Sequence, residues 1–221
     1  MSRKIVPLTL DRFAELAAPC RTCLFWEMDP VRRMRVEPGD EAGEKEAWLS
    51  EVLREWGSCG RVAVVDDVPA GYLLYVPAAF APGAESFPTA PVSADAVLLT
   101  TSWVHPRYAG GGLGRMLVQA MARDLIERGG IKAVEAFGDV GPASRLHGSR
   151  CTAPAEFLAR VGFKTHRPHP SAPRLRMELA GAVTWRDEVE AALERLLGAV
   201  RPHRAHPHPV PRSSGHLPRA E

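Results

Sequence analysis

The chain has 221 residues, 45% of them hydrophobic and 24% charged, with a formal net charge of +2. That length holds one domain with a sizeable core, or one domain and an appendage, and the composition is ordinary for a globular protein. The last 21 residues carry four arginines against one glutamate, so the body is nearly neutral and has no global field to draw in nucleic acid or a membrane surface.

In chain order, "KIVPLTL" (residues 4–10) predicts a first strand, with Pro7 pointing to an edge position. Asp11 is the expected cap of a short helix over residues 12–18, stopped by Pro19. "CRTCLFWEMDP" (residues 20–30) fits no regular element, and residues 37–43 are turn-like. Trp48, Leu49, Val52, Leu53 and Trp56 then recur at helical spacing, with Gly57 where a C-cap glycine belongs. "RVAVVDDVPAGYLLYVP" predicts a hairpin around Asp66-Asp67. After a loop, "DAVLLTTSWV" (residues 95–104) is too uniformly apolar for a solvent-facing strand and is read as central.

Leu113, Leu117, Met121 and Leu125 mark the next helix, with Arg115, Gln119 and Arg123 on its other side. It ends at Gly129-Gly130. "IKAVEAF" (residues 131–137) predicts a strand, a helix opens near Pro154 and closes at Gly162, and residues 174–179 alternate as a late strand. Thr184 and Asp187 open a last amphipathic helix to about Val200. Residues 201–221, rich in proline, histidine and arginine, are expected to be a disordered tail. The expected organisation is a body over residues 1–180, an amphipathic helix over 181–200 and the tail. The body is α/β: a mixed, mostly antiparallel central sheet flanked by helices.

The stretch "VHPRYAGGGLGRML" (residues 104–117) places Gly110, Gly111, Gly112 and Gly114 at the head of a helix. Glycines let main-chain amides converge on a ligand, and a helix N-terminus favours anions, phosphate above all. A plain strand-to-helix turn is the simpler alternative. A Walker A loop fails because Arg115-Met116 stand where Lys-Ser/Thr is needed. A dinucleotide fingerprint fails in both registers and would belong to a first βαβ unit.

The stretch resembles the acetyl-CoA loop of the GCN5-related N-acetyltransferases (GNAT family). Val104-His105-Pro106 matches that family's Val-x-Pro, and residues 109–114 match its glycine-rich loop. "FLARVGF" (residues 157–163) is similar to its closing helix-and-Gly-Phe stretch. The resemblance spans roughly residues 4–180. It implies acetyl-CoA as the acyl donor, with pantetheine beside Trp103 and Val104. It also implies a pyrophosphate on the amides around Ala109, Gly110, Gly111, Gly112, Leu113, Gly114 and Arg115. Arg115 can add a charge-assisted contact.

Three positions depart from the family's pattern. Ala109 replaces the loop's usual arginine or glutamine, and Leu158 replaces a frequent tyrosine general acid. Thr100, Thr101 and Ser102 offer no glutamate on the strand before the loop. Attack of an amine on a thioester needs a base, which supplies about 10²–10⁴-fold. The candidates are Glu135, in mid-strand and expected to have a raised pKa if it faces the cleft, and Glu27, with Asp29 near it, in the segment that the resemblance places over the acceptor site. Cys151 stands where relatives commonly carry asparagine and is a candidate contact to the thioester end of the cofactor, or a weak acid. For each there is a bland alternative: a solvated or paired carboxylate, or a small buried thiol.

Cys20, Cys23, Cys59 and Cys151 do not suggest a disulfide framework, and Cys20-x-x-Cys23 lacks the further ligands a structural zinc needs, so no metal is expected. The N-terminus has no signal-peptide run, and a cytoplasmic location is the default expectation. The leading reading is an N-acetyltransferase moving an acetyl or short acyl group to a primary amine of a small molecule or protein in a ternary complex. The last helix is expected to dock on its own domain, with a homodimer through it as the alternative. The alternative is a catalytically silent acyl-CoA-binding module with a sensing or scaffolding role. No nucleic-acid or membrane partner is expected.

Overall fold

A computed structural model describes residues 2–16, 21–141 and 152–180, within one compact unit that runs Met1–Thr184. The expected helix over residues 184–200, the tail, Cys20 and Cys151 lie outside the described residues. The strands are β1 (Arg3–Pro7), β2 (Gly60–Val65), β3 (Val68–Val76), β4 (Ala96–Val104), β5 (Ala133–Asp139), β6 (Ala153–Pro154), β7 (Lys164–Arg167) and β8 (Arg174–Glu178). The helices are α1 (Leu10–Glu15), α2 (Pro30–Arg33), α3 (Glu41–Glu55), α4 (Leu113–Arg128) and α5 (Ala155–Arg160). The strands form one mixed sheet in the order β1-β2-β3-β4-β5-β8-β7, with β6 paired to β5 off that path. Only β4–β5 and β5–β6 are parallel.

Alternation along the strands divides the core between two faces. On one, Leu73, Tyr75, Val97 and Leu99 meet Leu113, Leu117, Met121 and Leu125 of α4. On the other, Val62, Tyr72, Leu74 and Val76 meet Trp48, Leu49 and Val52 of α3 and Phe13 of α1. Leu117, Met121 and Leu125 are fully buried, and each such side chain contributes about 1.5–3 kcal/mol. The hairpin turn works because Asp66 (φ 48°) and Asp67 (φ 64°) both occupy the left-handed region, which aspartate tolerates and a two-residue hairpin loop needs.

One irregularity sets up the site. Leu74 pairs with Thr101 and Tyr75 with Leu99, so Thr100 is an extra residue bulging from β4. Its hydroxyl donates to the Leu74 carbonyl at 3.2 Å. The bulge reverses the alternation: Val97 and Leu99 face α4, whereas beyond it Val104 packs on that side and Trp103 on the other.

Some local expectations change. Thr9, not Asp11, caps α1, its hydroxyl accepting from the Arg12 amide at 3.4 Å. The segment over residues 20–30 leads into α2, capped by Asp29, whose Oδ1 accepts from the Val31 and Arg32 amides at 2.8 and 3.0 Å. Strand β7 was not expected, because all four of its residues are exposed and polar or charged and carry no apolar period. Among the described residues no helix is long and apolar enough to cross a membrane, and no group of side chains is suited to a metal ion.

Candidate functional site

Strands β4 and β5 pair only over Ala96–Leu98 and Ala133–Glu135. Beyond Leu98, β4 keeps its partner β3 on one side alone, while β5, paired to β8 over Ala133–Phe137, takes up β6 at Gly138 and Asp139. The sheet therefore splays open between them. The His105 amide donates to the Ala70 carbonyl at 2.9 Å. Antiparallel alternation then directs the main-chain groups of Trp103 and Thr101 to β3, and those of Val104 and Ser102 into the gap. Trp103 presents its half-buried ring at the gap's edge, 5.8 Å from the His105 ring.

At the end of β4 the chain makes a tight turn. The Ala109 amide donates to the Pro106 carbonyl (3.1 Å) and the Gly111 amide to the Tyr108 carbonyl (3.3 Å), so these two are already used within the loop. Gly110 (φ 77°) and Gly112 (φ 84°) lie in the left-handed region, where other residues are strained. The first main-chain bond of α4 runs from the Met116 amide to the Gly112 carbonyl at 3.1 Å. The amides of Gly112, Leu113, Gly114 and Arg115 precede it, as the first donors of any helix do, and none meets a main-chain acceptor among the described residues. The Leu113 side chain anchors the turn in the core. At Gly114 a Cβ would come 2.8 Å from the Phe157 ring, so glycine there lets α5 press against the head of α4. A row of free donors at a positive helix end is suited to phosphate.

Two arginines flank this loop. The exposed Arg115 donates to the Arg160 carbonyl at 3.3 Å. Arg3 of β1 reaches the loop from 108 positions away and donates to the Gly111 carbonyl at 2.7 Å. Arg3 was not foreseen: nothing local in "MSRKIVP" signals it, since only the β1–β2 pairing carries it there.

The acidic candidates sit differently from expectation. Glu135 is fully buried. It accepts from the Ser93 amide (3.1 Å), pairs with Arg176 (3.1 Å) and lies 3.2 Å from the Arg174 guanidinium. Burial alone would raise its pKa, but the bonds from Ser93 and the two arginines outweigh it and hold the carboxyl below its ordinary value. The raised pKa that a cleft-facing carboxyl would have is thus absent, and Glu135 is instead the paired carboxylate of the alternative reading, with Arg174 and Arg176 of β8 as its partners. Glu27 is buried and forms an ion pair with the buried Lys45 of α3, whose ammonium also donates to the Cys23 carbonyl at 3.0 Å. Cys151 lies outside the described residues.

A separate cleft of about 490 Å³ lies at the end of β5. Its apolar wall is Phe25 and Phe87, set edge to face at 5.6 Å. Phe87 stacks in turn on Phe137 (4.2 Å) and Trp26 (5.3 Å). Its polar lining includes Arg33, Asp139, Thr152, His169 and Ser171. The Thr89 hydroxyl donates to the Ala172 carbonyl at 3.0 Å, tying two of the walls together. One carboxylate oxygen of Asp139 is buried with no hydrogen-bond partner among the described residues. The sequence reading passed over Asp139, although an aspartate closing the apolar run "AVEAFGD" is a visible signal. Arg33 closes the short helix α2 and His169 lies in a loop, and neither carried one.

The model of a family described as acetyltransferase (GNAT) family matches residues 14–148. Among solved structures the chain is similar to an acetyltransferase at 17% identity, covering 80% of this chain and 99% of that one with a TM-score of 0.53. It is also similar to an N-acetyltransferase from Staphylococcus aureus Mu50 at 12% identity, covering 81% and 99% with a TM-score of 0.52. At a TM-score of 0.49 and 17% identity stands the PaiA N-acetyltransferase of Thermoplasma acidophilum in complex with coenzyme A, with 80% and 99% covered. Among curated proteins, none matches this sequence.

Proposed function

Because the chain belongs to the acetyltransferase (GNAT) family, whose donor is acetyl-CoA, we propose that it transfers an acetyl or similar short acyl group to a primary amine seated in the cleft at the end of β5. The observation that carries this reading is the splay between β4 and β5, with amides at the head of α4 and a carboxylate oxygen in the cleft beyond β5 that have no partner among the described residues.

The residues present fit the donor. The exposed turn of Gly110 and Gly112 leaves main chain uncovered by any Cβ, and the amides of Gly112, Leu113, Gly114 and Arg115, which meet no main-chain acceptor among the described residues, can donate to a pyrophosphate. Arg3 and Arg115 add positive charge where Ala109 supplies none, which offsets the arginine or glutamine usual at that position. Main-chain groups of Ser102 and Val104 are placed to pair with the amides of pantetheine, and Trp103 lines the gap with its ring. When bound, acetyl-CoA supplies the acetyl group as an activated thioester.

In the acceptor cleft, Asp139 holds the amine and takes the proton it must surrender before attack. Attack by the neutral nitrogen forms the C–N bond as the C–S bond breaks, and the second proton that the nitrogen must lose passes to the departing thiolate. Glu135 serves instead to hold β5 to β8, and Glu27 with Lys45 fixes the segment that carries Trp26 beneath the cleft. The body over residues 1–180 suffices for this chemistry.

Thiol release from acetyl-CoA against a panel of primary amines tests the reading. Amine-dependent release that disappears in Asp139→Asn, with CoA affinity unchanged, is expected. CoA binding with no release on any amine contradicts it.

A further inference from the structure

The cleft's polar groups are opposite in charge and are not satisfied by each other. Asp139 leaves a buried oxygen without a partner among the described residues. Arg33, half-buried, lies with its guanidinium 5.2 Å from the centre of the Phe25 ring, and among the described residues no carboxylate lies within 4.0 Å of it. Its neighbour Arg32, by contrast, approaches Glu44 at 4.0 Å. The ring of His169 is held by its own loop. Its Nδ1 accepts from the amides of Ser171 (3.3 Å) and Ala172 (3.1 Å), so in the neutral ring Nε2 carries the hydrogen and is a donor. Beside the hydroxyls of Thr152 and Ser171, the cleft thus offers an anionic acceptor in Asp139, a cation in Arg33 and an Nε2–H donor in His169, over a wall made by Phe25 and Phe87.

A ligand that satisfies all three carries both an ammonium and a carboxylate, with an apolar part between the aromatic rings. A polyamine would leave Arg33 facing like charge, and a simple aryl amine would leave it and His169 unpaired, at a cost in desolvation. We infer that the acceptor is a free α-amino acid with an apolar or aromatic side chain. Its ammonium meets Asp139, its carboxylate meets Arg33 and His169, and its side chain lies on the Phe25–Phe87 wall. A planar guanidinium presents its donors as a fork that matches a carboxylate. This inference rests on the acetyltransferase reading of the same site.

The test compares phenylalanine and leucine with phenylalanine amide and phenethylamine as acceptors, with full-length protein and saturating acetyl-CoA. The free acids are expected to exceed the amide and the amine by about tenfold or more in kcat/KM. Arg33→Ala should collapse that ratio toward one, chiefly by raising KM for the acid, and Arg33→Lys should restore part of it. A circular dichroism spectrum and CoA binding like the native protein's confirm that the variants fold. Equal or better use of the amide or phenethylamine overturns the inference, as does an Arg33→Ala loss that is the same for acid and amide. In both cases the acetyltransferase reading survives. If CoA binds but none of these amines, nor a wider amine panel, releases thiol, the acetyltransferase reading itself fails and this inference with it.

Discussion

The two sides of the splay are built on different principles. The donor side is almost all main chain: one unbroken run from Ser102 to Arg115 supplies strand groups facing a gap and a set of helix-head amides. The proposed acceptor side is built mostly of side chains: Phe25 and Arg33 come from one stretch, and Phe87, Asp139 and His169 from three others. Main-chain recognition tolerates substitution wherever backbone conformation survives, which is why Ala109 can stand in the loop without a polar side chain. Side-chain recognition has no such margin. One lost carboxylate or guanidinium changes what the cleft accepts.

This contrast can be broken most sharply at Asp139. Asp139→Asn is expected to lower kcat/KM by about 10²–10⁴-fold while CoA affinity, measured by calorimetry, stays within error. A parallel loss of CoA binding would mean that the two sides are not separable.

Next in size is the ion cluster that holds the sheet together between them. Glu135→Gln leaves the buried Arg174 (2% exposed) without a full counter-charge and should cost about 3–5 kcal/mol of stability, read from urea unfolding. The carboxyl is held below its reference value of 4.5, so its contribution is present above that pH and is lost as pH falls through the lower folded value. The penalty should therefore shrink in acid, and a penalty independent of pH would rule out the ion-pair role.

Smaller still is Gly112→Val. Forcing a β-branched residue into the left-handed region costs about 1–2 kcal/mol, which the chain relieves by shifting the turn. CoA affinity should fall about tenfold while the far-ultraviolet spectrum holds. Ala109→Ser, on the same loop, should change affinity little, as main-chain recognition requires. The smallest effect is at Cys59, whose thiol burial pushes up to about 12. It should resist alkylation at pH 8 in the folded protein and react only on unfolding, as intact-mass measurement would show.

How much of this was legible follows the same division. The head of α4 could be read from sequence because its signal is local: glycines, a leucine period and a strand before them lie within about thirty consecutive residues. The central position of β4 could be read for the same reason. The bulge at Thr100 could not, because it exists only in the register between β3 and β4. Glu135 looked like a lone carboxylate among apolar neighbours, since its arginine partners lie some forty positions on. Arg3 beside Gly111, and Arg33 and His169 around Asp139, are products of topology alone.

Calorimetric titration of acetyl-CoA into the native protein and into Gly112→Val tests the central claim, that the amides from Gly112 to Arg115 receive the donor's pyrophosphate. Saturable heat with the native chain, weakened in the variant, is the result this account requires. No heat with the native chain, or the same isotherm for both proteins, contradicts it.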